Sequence, residues 1–169
     1  MLDAGALRIA GNLPYNISSP ILFKLLRASH GIVDATVMLQ REVADRLVAK
    51  PGTKDYGLLT IFTAAQADVQ RVLTLPPGAF RPVPKVHSAV VRLRFKPSVI
   101  PERTRAVFDP MVRSMFTQRR KTLGNALRPF AESAGREASA VLLAAAIDPA
   151  RRPETLTLAE IIRLASMFA

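Results

Sequence analysis

The residues best suited to chemistry stand near the start of the chain, in the run Asn12-Leu13-Pro14-Tyr15. The run follows an apolar segment, residues 7–11, that predicts a short buried strand, and it precedes a helix predicted to open at Ser18-Ser19-Pro20. An amide, a proline and an aromatic ring at the carboxyl end of a strand favour a ligand site. A simple turn with a packed tyrosine is the alternative interpretation of the same residues.

Recognition of a nucleobase amine is the chemistry that this run suits. The side-chain oxygen of Asn12 and a backbone carbonyl of the turn can accept both hydrogens of an exocyclic amine, which aims the nitrogen lone pair. Tyr15 offers a π-face to a base that has left its stack, and Phe80 can close the other face. The pattern therefore favours a base-binding site.

The composition narrows the classes of protein and partner. The chain has 169 residues, of which 49% are hydrophobic, so it can build a packed core. Its 24 Lys and Arg residues against 13 Asp and Glu residues give a net charge of +11, which favours nucleic acid or a membrane surface as partner. No apolar run reaches the roughly 20 residues that span a bilayer, so we expect a cytoplasmic protein. The absence of cysteine and the presence of only two histidines predict no metal site.

Apolar periodicity predicts an α/β fold for the first part of the chain. Residues 32–39 form a second predicted strand and residues 87–95 alternate clearly, so that they can pair with residues 69–75 as a hairpin. The connection, Pro76–Lys85, is stiffened by four prolines and carries Phe80. Short helices are predicted after Ser18, after Gln40 and over 58–66, and Lys50–Gly57 is predicted to be an exposed loop.

Beyond a linker at Pro97–Pro101 the pattern becomes helical. The predicted helices span about residues 103–128, 137–146 and 157–168, with breaks in the first at Asp109-Pro110 and near Arg119. Thr157 and Glu160 form a predicted capping box at the start of the last helix. We therefore expect two domains, residues 1–97 and an all-helical domain of residues 98–169.

Three consecutive cations, Arg119, Arg120 and Lys121, interrupt the helical part. A helix would spread them over a wide arc, so they cannot all face a core, and with the net charge they favour contacts to an RNA backbone. A solvated charged surface is the alternative. Arg81 and Lys85 flank Phe80 and are further candidates for phosphate contacts.

Several ordered segments resemble the ribosomal RNA small-subunit adenine dimethyltransferase family. Gly11–Ser18 is similar to the adenine-amine motif of that family, and Phe80–Val86 is similar to its proline-rich target-base loop. The remaining similar segments are Met38–Val43, Gln118–Leu123 and Ile147–Pro149. Together they extend over nearly all of the chain.

The resemblance implies S-adenosylmethionine-dependent dimethylation of the N6 amines of two adjacent adenosines in small-subunit rRNA, with the immature small ribosomal subunit as partner. By that similarity Asn12, Leu13 and Pro14 hold the target amine, Asn12 also lies against the cofactor, and Tyr15 and Phe80 stack on the base. It implies a Rossmann-like class I methyltransferase sheet followed by a helical rRNA-binding domain. The direct displacement that this chemistry implies needs no metal.

One departure from the family concerns the cofactor. The first half of the family carries a Gly-rich loop and acidic residues that hold S-adenosylmethionine, whereas only 11 residues precede Asn12 here. We therefore expect a partial sheet of about four strands, weak cofactor binding by this chain alone, and a first strand with one unpaired edge that invites self-association. A non-catalytic RNA-binding module is the alternative function.

Overall fold

A computed structural model describes residues 7–169 of the chain. The chain divides into two compact units. The first runs to Ala49 and continues over Leu59–Ser98, and the second combines Lys50–Leu58 with Val99–Ala169. The division follows packing and not sequence order, because residues 50–58 leave the first unit to join the second.

The first unit is built on a mixed four-stranded sheet in the order β1-β2-β4-β3. Strand β1 is parallel to β2, while β4 is antiparallel to both β2 and β3. The strands are β1 (Leu7–Asn12), β2 (Ile32–Gln40), β3 (Ala67–Leu75) and β4 (Ser88–Phe95), and the helices are α1 (Ser18–Arg27), α2 (Arg41–Leu47) and α3 (Leu58–Ala64). The predicted α/β class and the β3–β4 hairpin are confirmed.

One face of the sheet carries the core of this unit. Alternate residues of β2 and β4, among them Val37, Leu39, Val91 and Leu93, are at most 1% exposed, and Leu22 of α1 packs with them. Side chains alternate across a strand, so residues two apart share this face. The alternation of apolar and polar residues that predicted a strand over 87–95 therefore reflects the alternation of buried and more exposed side chains along β4.

A buried carboxylate fixes the register of the three strands next to the site. Asp34 on β2 lies opposite Arg8 of β1 and Arg94 of β4, and it accepts a hydrogen bond of 2.5 Å from Arg92. That hydrogen bond, reinforced by the neighbouring guanidiniums, lowers the pKa of Asp34. A slip of one residue would turn every side chain of β1 to the other face, so this cluster helps to place Asn12 opposite Met38.

Helix α1 begins differently from the prediction. A 3-10 turn, Tyr15–Ile17, precedes it, Ile17 occupies the N-cap, and no side chain caps the helix. Ser18 is buried within the helix and its hydroxyl donates back to the carbonyl oxygen of Tyr15 at 3.3 Å. The predicted cap at Ser18 or Ser19 is therefore wrong, because the turn already directs the chain into the helix.

Four helices form the second unit: α4 (Arg105–Thr117), α5 (Leu123–Ser133), α6 (Ala138–Ala144) and α7 (Leu158–Ser166). The predicted break at Asp109-Pro110 is wrong, because α4 continues through Pro110. A proline inside a helix costs about 3 kcal/mol. Burial of Phe108, Met111 and Met115, each at most 1% exposed, offsets that cost. The predicted break near Arg119 is confirmed.

The segment Lys50–Leu58 is held in the helical unit by Tyr56. Its ring is 3% exposed and lies 6.3 Å, centroid to centroid, from the ring of Phe116. Its hydroxyl donates to the carbonyl oxygen of Leu156 at 2.7 Å. The segment was predicted to be an exposed loop; residues 50–55 are exposed, but for Tyr56 that prediction is wrong.

The predicted capping box is confirmed at the start of α7. Thr157 accepts from the backbone of Glu160, whose carboxylate accepts from the Thr157 backbone in return. Glu160 also accepts from Arg151 at 2.5 Å. These donors, Arg151 first, lower the pKa of Glu160 from 4.5 to about 2.

The lowered pKa of Glu160 makes the free energy of unfolding depend on pH in the acidic range. Because the folded state holds the pKa down, the stabilisation is present above pH 4.5 and is lost as pH falls toward 2. Glu160→Gln is therefore expected to cost about 1–2 kcal/mol at neutral pH, after allowance for solvent screening, and progressively less in acid. Urea unfolding on both sides of this pH window measures the change, with Glu132→Gln, a substitution of an exposed residue on α5, as the control. An equal loss at every pH would contradict the assignment.

No helix within residues 7–169 combines the length and the apolar character needed to cross a membrane. In the same described range no group of three or more His, Cys, Asp and Glu side chains is placed to hold a metal ion.

Candidate nucleic-acid interface

The run Asn12–Tyr15 lies at the carboxyl end of β1 in the first unit: Asn12 is the last residue of the strand, and the next three residues follow it. The backbone N–H of Leu13 donates to the carbonyl oxygen of Met38 at 2.9 Å, which extends the contact with β2 one residue beyond the strand. Leu13 packs against the core, while Asn12 and Pro14 are exposed. The turn is thus attached by its backbone and by Leu13, and it leaves the Asn12 amide open to solvent.

A hydrogen bond at the hydroxyl group of Tyr15 orients its ring. Its hydroxyl lies 2.5 Å from the Ser88 hydroxyl at the start of β4, and its ring is half-buried. Ser88 is itself fully buried and pairs with Gln40 at the end of β2. The tyrosine therefore lies where β1 and β2 end and β4 begins. Nothing in the sequence pattern identified Ser88, which stands 73 positions away from Tyr15.

The proline-rich loop between β3 and β4 arrives at the same end of the sheet. Phe80 is half-buried, Arg81 and Lys85 are exposed, and the Arg81–Pro82 peptide bond is cis. The carbonyl oxygen of His87, at the end of the loop, accepts from the backbone N–H of Arg41 at 2.9 Å. The structure joins Tyr15 to the end of this loop through Ser88. Stacking of Tyr15 and Phe80 on one base remains a prediction.

The described sheet is open at the edge that carries Asn12. Asn12 lies at the carboxyl end of β1, and β1 is the edge strand of the sheet formed by residues 7–169. No described strand lies beyond β1 to face Asn12 from the other side. Weak binding of S-adenosylmethionine by this chain alone stays a prediction.

Arg119, Arg120 and Lys121 form a turn between α4 and α5 in the second unit, not part of a helix. The guanidinium of Arg119 is engaged within the protein: Nε donates to Glu154 at 2.5 Å and Nη2 to the carbonyl oxygen of Lys54 at 2.7 Å. Arg120 and Lys121 are exposed. The three consecutive cations therefore have different surroundings, which the sequence could not distinguish.

These residues line a cleft in the helical unit with a volume of about 830 Å³. Its lining consists of Lys54, Thr117, Gln118, Arg119, Arg120, Lys121, Arg152 and Glu154. The cations come from three separate segments of the chain, and Glu154 is the single acidic residue of the lining. Arg152 and Glu154 were not singled out by the sequence pattern.

Comparison with known proteins gives one consistent result. A family model described as ribosomal RNA adenine dimethylase matches residues 3–164. Ribosomal RNA small subunit methyltransferase A of Xanthomonas oryzae is 47% identical over 99% of this chain and 62% of its own length. The protein of the same name from Nitrosococcus oceani is 47% identical over 94% of this chain and 58% of its own. The chain thus spans about three fifths of these relatives.

Solved structures agree with this result. A dimethyladenosine transferase from Plasmodium falciparum is 27% identical over 93% of this chain and 64% of its own, with a TM-score of 0.79. The 23S rRNA methyltransferase ErmE is 26% identical over 96% of this chain and 65% of its own, with a TM-score of 0.64. These matches agree with the two features described above, the run Asn12–Tyr15 at the end of β1 and the basic helical unit. The chain belongs to the ribosomal RNA adenine dimethylase family.

Proposed function

We propose that this chain is the part of an rRNA dimethyltransferase that holds the target adenine and contacts the RNA. The proposed reaction is N6,N6-dimethylation of two adjacent adenosines in small-subunit rRNA during assembly of the small ribosomal subunit in the cytoplasm. One observation carries the proposal: the Tyr15 hydroxyl is held by Ser88, beside an exposed Asn12 amide at the end of β1. An oriented ring next to an open amide is an arrangement suited to an extruded base.

Asn12 would act by positioning. Its side-chain oxygen accepts one N6 hydrogen of adenine and a carbonyl of the turn accepts the other, so the nitrogen lone pair is directed out of the ring plane. The carbonyl oxygen of Pro14 accepts from the Ile17 backbone at 3.2 Å, which fixes the shape of the turn that presents these acceptors. S-adenosylmethionine, the donor that the resemblance implies, would supply the electrophilic methyl group.

Tyr15 and Phe80 would stack on the adenine, a contact worth about 1–3 kcal/mol for each base. The bond to Ser88 fixes the ring of Tyr15 before the base arrives, so little side-chain entropy is lost on binding. Arg81 and Lys85 are exposed on the same loop as Phe80, where they would meet phosphates next to the extruded nucleotide.

RNA contact away from the base would come from the helical unit. Arg120 and Lys121 are exposed in the turn after α4, and the chain carries a net charge of +11. Arg119 belongs to the same turn, although its guanidinium is engaged within the protein. Neutralising phosphates releases counterions, so binding would fall steeply as salt rises.

Cofactor binding tests the enzyme proposal. Titration of the 169-residue chain with S-adenosylmethionine should give no saturable heat up to roughly 1 mM, because described residues line one side of the site only. A fusion that places the amino-terminal segment of the Xanthomonas oryzae relative before Met1 should bind it and methylate undermethylated small subunits. Tight S-adenosylmethionine binding by the unfused chain would contradict the expected lack of binding. A fusion that binds the cofactor but does not methylate the subunits would contradict the enzyme proposal.

A non-catalytic RNA-binding module is the second candidate. The edge position of β1 within the described sheet favours it for this polypeptide. The same open edge is a proposed site of self-association. RNA binding without methyl transfer by the fusion would support this second candidate.

A further inference from the structure

We infer that Gln40, the last residue of β2, recognises the target base: its side-chain amide donates a hydrogen bond to a ring nitrogen of the extruded adenine. The acceptor is one of the two ring nitrogens on the side of the amine, N1 or N7. The inference rests on the proposed function for its ligand, and it adds a specificity-determining residue to the site of Asn12 and Tyr15.

The register of the sheet places Gln40 on the same face as Asn12. Asn12 of β1 lies opposite Met38 of β2, and Met38 and Gln40 share a face because side chains alternate along a strand. That face is the one opposite the hydrophobic core, since Leu39 between them is fully buried in the core. Strand spacings put the Cα atoms of Asn12 and Gln40 about 8 Å apart, a distance over which two amides can contact one base.

Strand β4 independently places Gln40 near the hydroxyl group of Tyr15. Gln40 pairs with Ser88, and the Ser88 hydroxyl lies 2.5 Å from the Tyr15 hydroxyl. Residues that pair across two strands share a face, with Cβ atoms about 5 Å apart. The amides of Gln40 and Asn12 and the ring that is proposed to stack on the base therefore belong to one end of one face of the sheet.

The side-chain amide of Gln40 has no hydrogen-bond partner within residues 7–169. Gln40 occupies the N-cap position of α2, yet its side chain makes no capping hydrogen bond. Glutamine is not among the residues that favour an N-cap position. The residue is half-buried, so part of its side chain still reaches solvent. An amide that serves neither the helix nor the sheet is available to a ligand.

Backbone hydrogen bonds on both sides hold the end of β2 in place. The N–H of Leu13 donates to the carbonyl oxygen of Met38, and the N–H of Arg41 donates to the carbonyl oxygen of His87, each at 2.9 Å. The first bond joins β2 to the turn after β1, and the second joins it to the end of the proline-rich loop. Gln40 lies between these two bonds, so its backbone is fixed before RNA binds and little conformational entropy is lost on binding.

The hydrogen-bonding groups of adenine assign the amide its role. In the proposed function, Asn12 and a carbonyl of the turn accept both N6 hydrogens. The ring nitrogens N1 and N7 remain on that side of the base, and because they only accept hydrogen bonds, the Gln40 side chain meets them through its N–H groups. In guanine an oxygen replaces the amine and would face the side-chain oxygen of Asn12. The two amides together therefore favour adenine over guanine.

Coupling between a variant and a base analogue tests the contact. Gln40→Met keeps the length of the side chain and removes the amide. Small subunits reconstituted with 1-deazaadenosine or 7-deazaadenosine at the target positions lose one ring nitrogen each. In the fusion described above, Gln40→Met should lower kcat/KM for undermethylated subunits about 3- to 10-fold, the usual value of one neutral hydrogen bond. One of the two analogues should lower it by a similar factor, and on that analogue Gln40→Met should cause no further loss.

Gln70→Met is the matched control. Gln70 is an exposed glutamine of β3, away from the strand ends that carry the site, and its side chain likewise makes no hydrogen bond within the described range. The control should leave kcat/KM unchanged with every substrate. Both variants should keep the urea midpoint of the 169-residue chain, because neither removes a contact that stabilises the fold.

Equal losses from Gln40→Met on adenosine and on both analogues would overturn the inference, because the amide would then act without touching either ring nitrogen. Full activity of Gln40→Met would overturn it as well. Both results leave the proposed function in place as long as the unaltered fusion methylates the subunits. A fusion that binds S-adenosylmethionine but does not methylate subunits with ordinary adenosines would instead contradict the proposed function itself.

Discussion

Replacing Asn12 by alanine in the active fusion is expected to lower the rate of adenine methylation about 100- to 1,000-fold, the usual cost of removing one preorganised polar contact from a reacting centre. The physical reason is that alanine offers no oxygen to the N6 hydrogens, so the lone pair stays delocalised in the ring. Single-turnover methyl transfer to undermethylated small subunits measures the effect. Because Asn12 is exposed, the protein should retain its stability.

The neighbouring Asn16 supplies the matched control. It is the same residue type, is exposed, and lies in the 3-10 turn of residues 15–17, four positions after Asn12. Asn16→Ala should leave the rate within about twofold of the unaltered fusion. Equal losses in both variants would show that the turn as a whole matters and not the amide at position 12. A rate unaffected by Asn12→Ala would contradict the proposed role.

Replacing Tyr56 by alanine is expected to cost about 3–5 kcal/mol of unfolding free energy. The ring is 3% exposed, and its loss leaves both a cavity beside Phe116 and an unpaired carbonyl at Leu156. Urea unfolding of the chain followed by circular dichroism measures this cost. A loss under about 1 kcal/mol would show that the segment is not anchored by Tyr56.

Tyr56→Phe isolates the hydrogen bond from the packing. It should cost about 1–2 kcal/mol, because the Leu156 carbonyl then lies buried without its donor. Burial, and secondarily the charge of Glu160, raises the pKa of Tyr56 from 10 to about 12. Stability is therefore complete below pH 10 and falls as the pH rises toward 12, since only the unfolded state releases the proton in that range. The phenylalanine variant should lack this alkaline decline.

The prediction from sequence was accurate where a signal lies within one element. Alternation in residues 87–95 reflects the buried face of β4, and the Thr157–Glu160 spacing is a contact within the first turn of α7. It was wrong where packing outweighs local preference. Pro110 stays inside α4 because Phe108, Met111 and Met115 hold the helix together, and no periodicity reveals that compensation.

The candidate site divides in the same way. Asn12 and Tyr15 could be recognised from residue types at the end of a strand, but Ser88, which orients Tyr15, is 73 positions distant. In the helical unit Arg119, Arg120 and Lys121 are equivalent by sequence. Arg119 is distinguished by Glu154 and by the Lys54 carbonyl, 35 and 65 positions away.

What the sequence alone determined about this protein is therefore what neighbouring residues decide among themselves: the strands, the helices, the strand-end turn with its amide and its aromatic ring, and an excess of positive charge. The tertiary structure decided which of those residues are anchored and which are available to a partner. Tyr56, which the sequence placed in an exposed loop, is buried and hydrogen-bonded to Leu156. Arg119, which the sequence placed on the surface, donates hydrogen bonds to Glu154 and to the carbonyl oxygen of Lys54. The reason is that burial and hydrogen bonding are properties of contacts between distant segments, and those contacts exist only once the chain has folded.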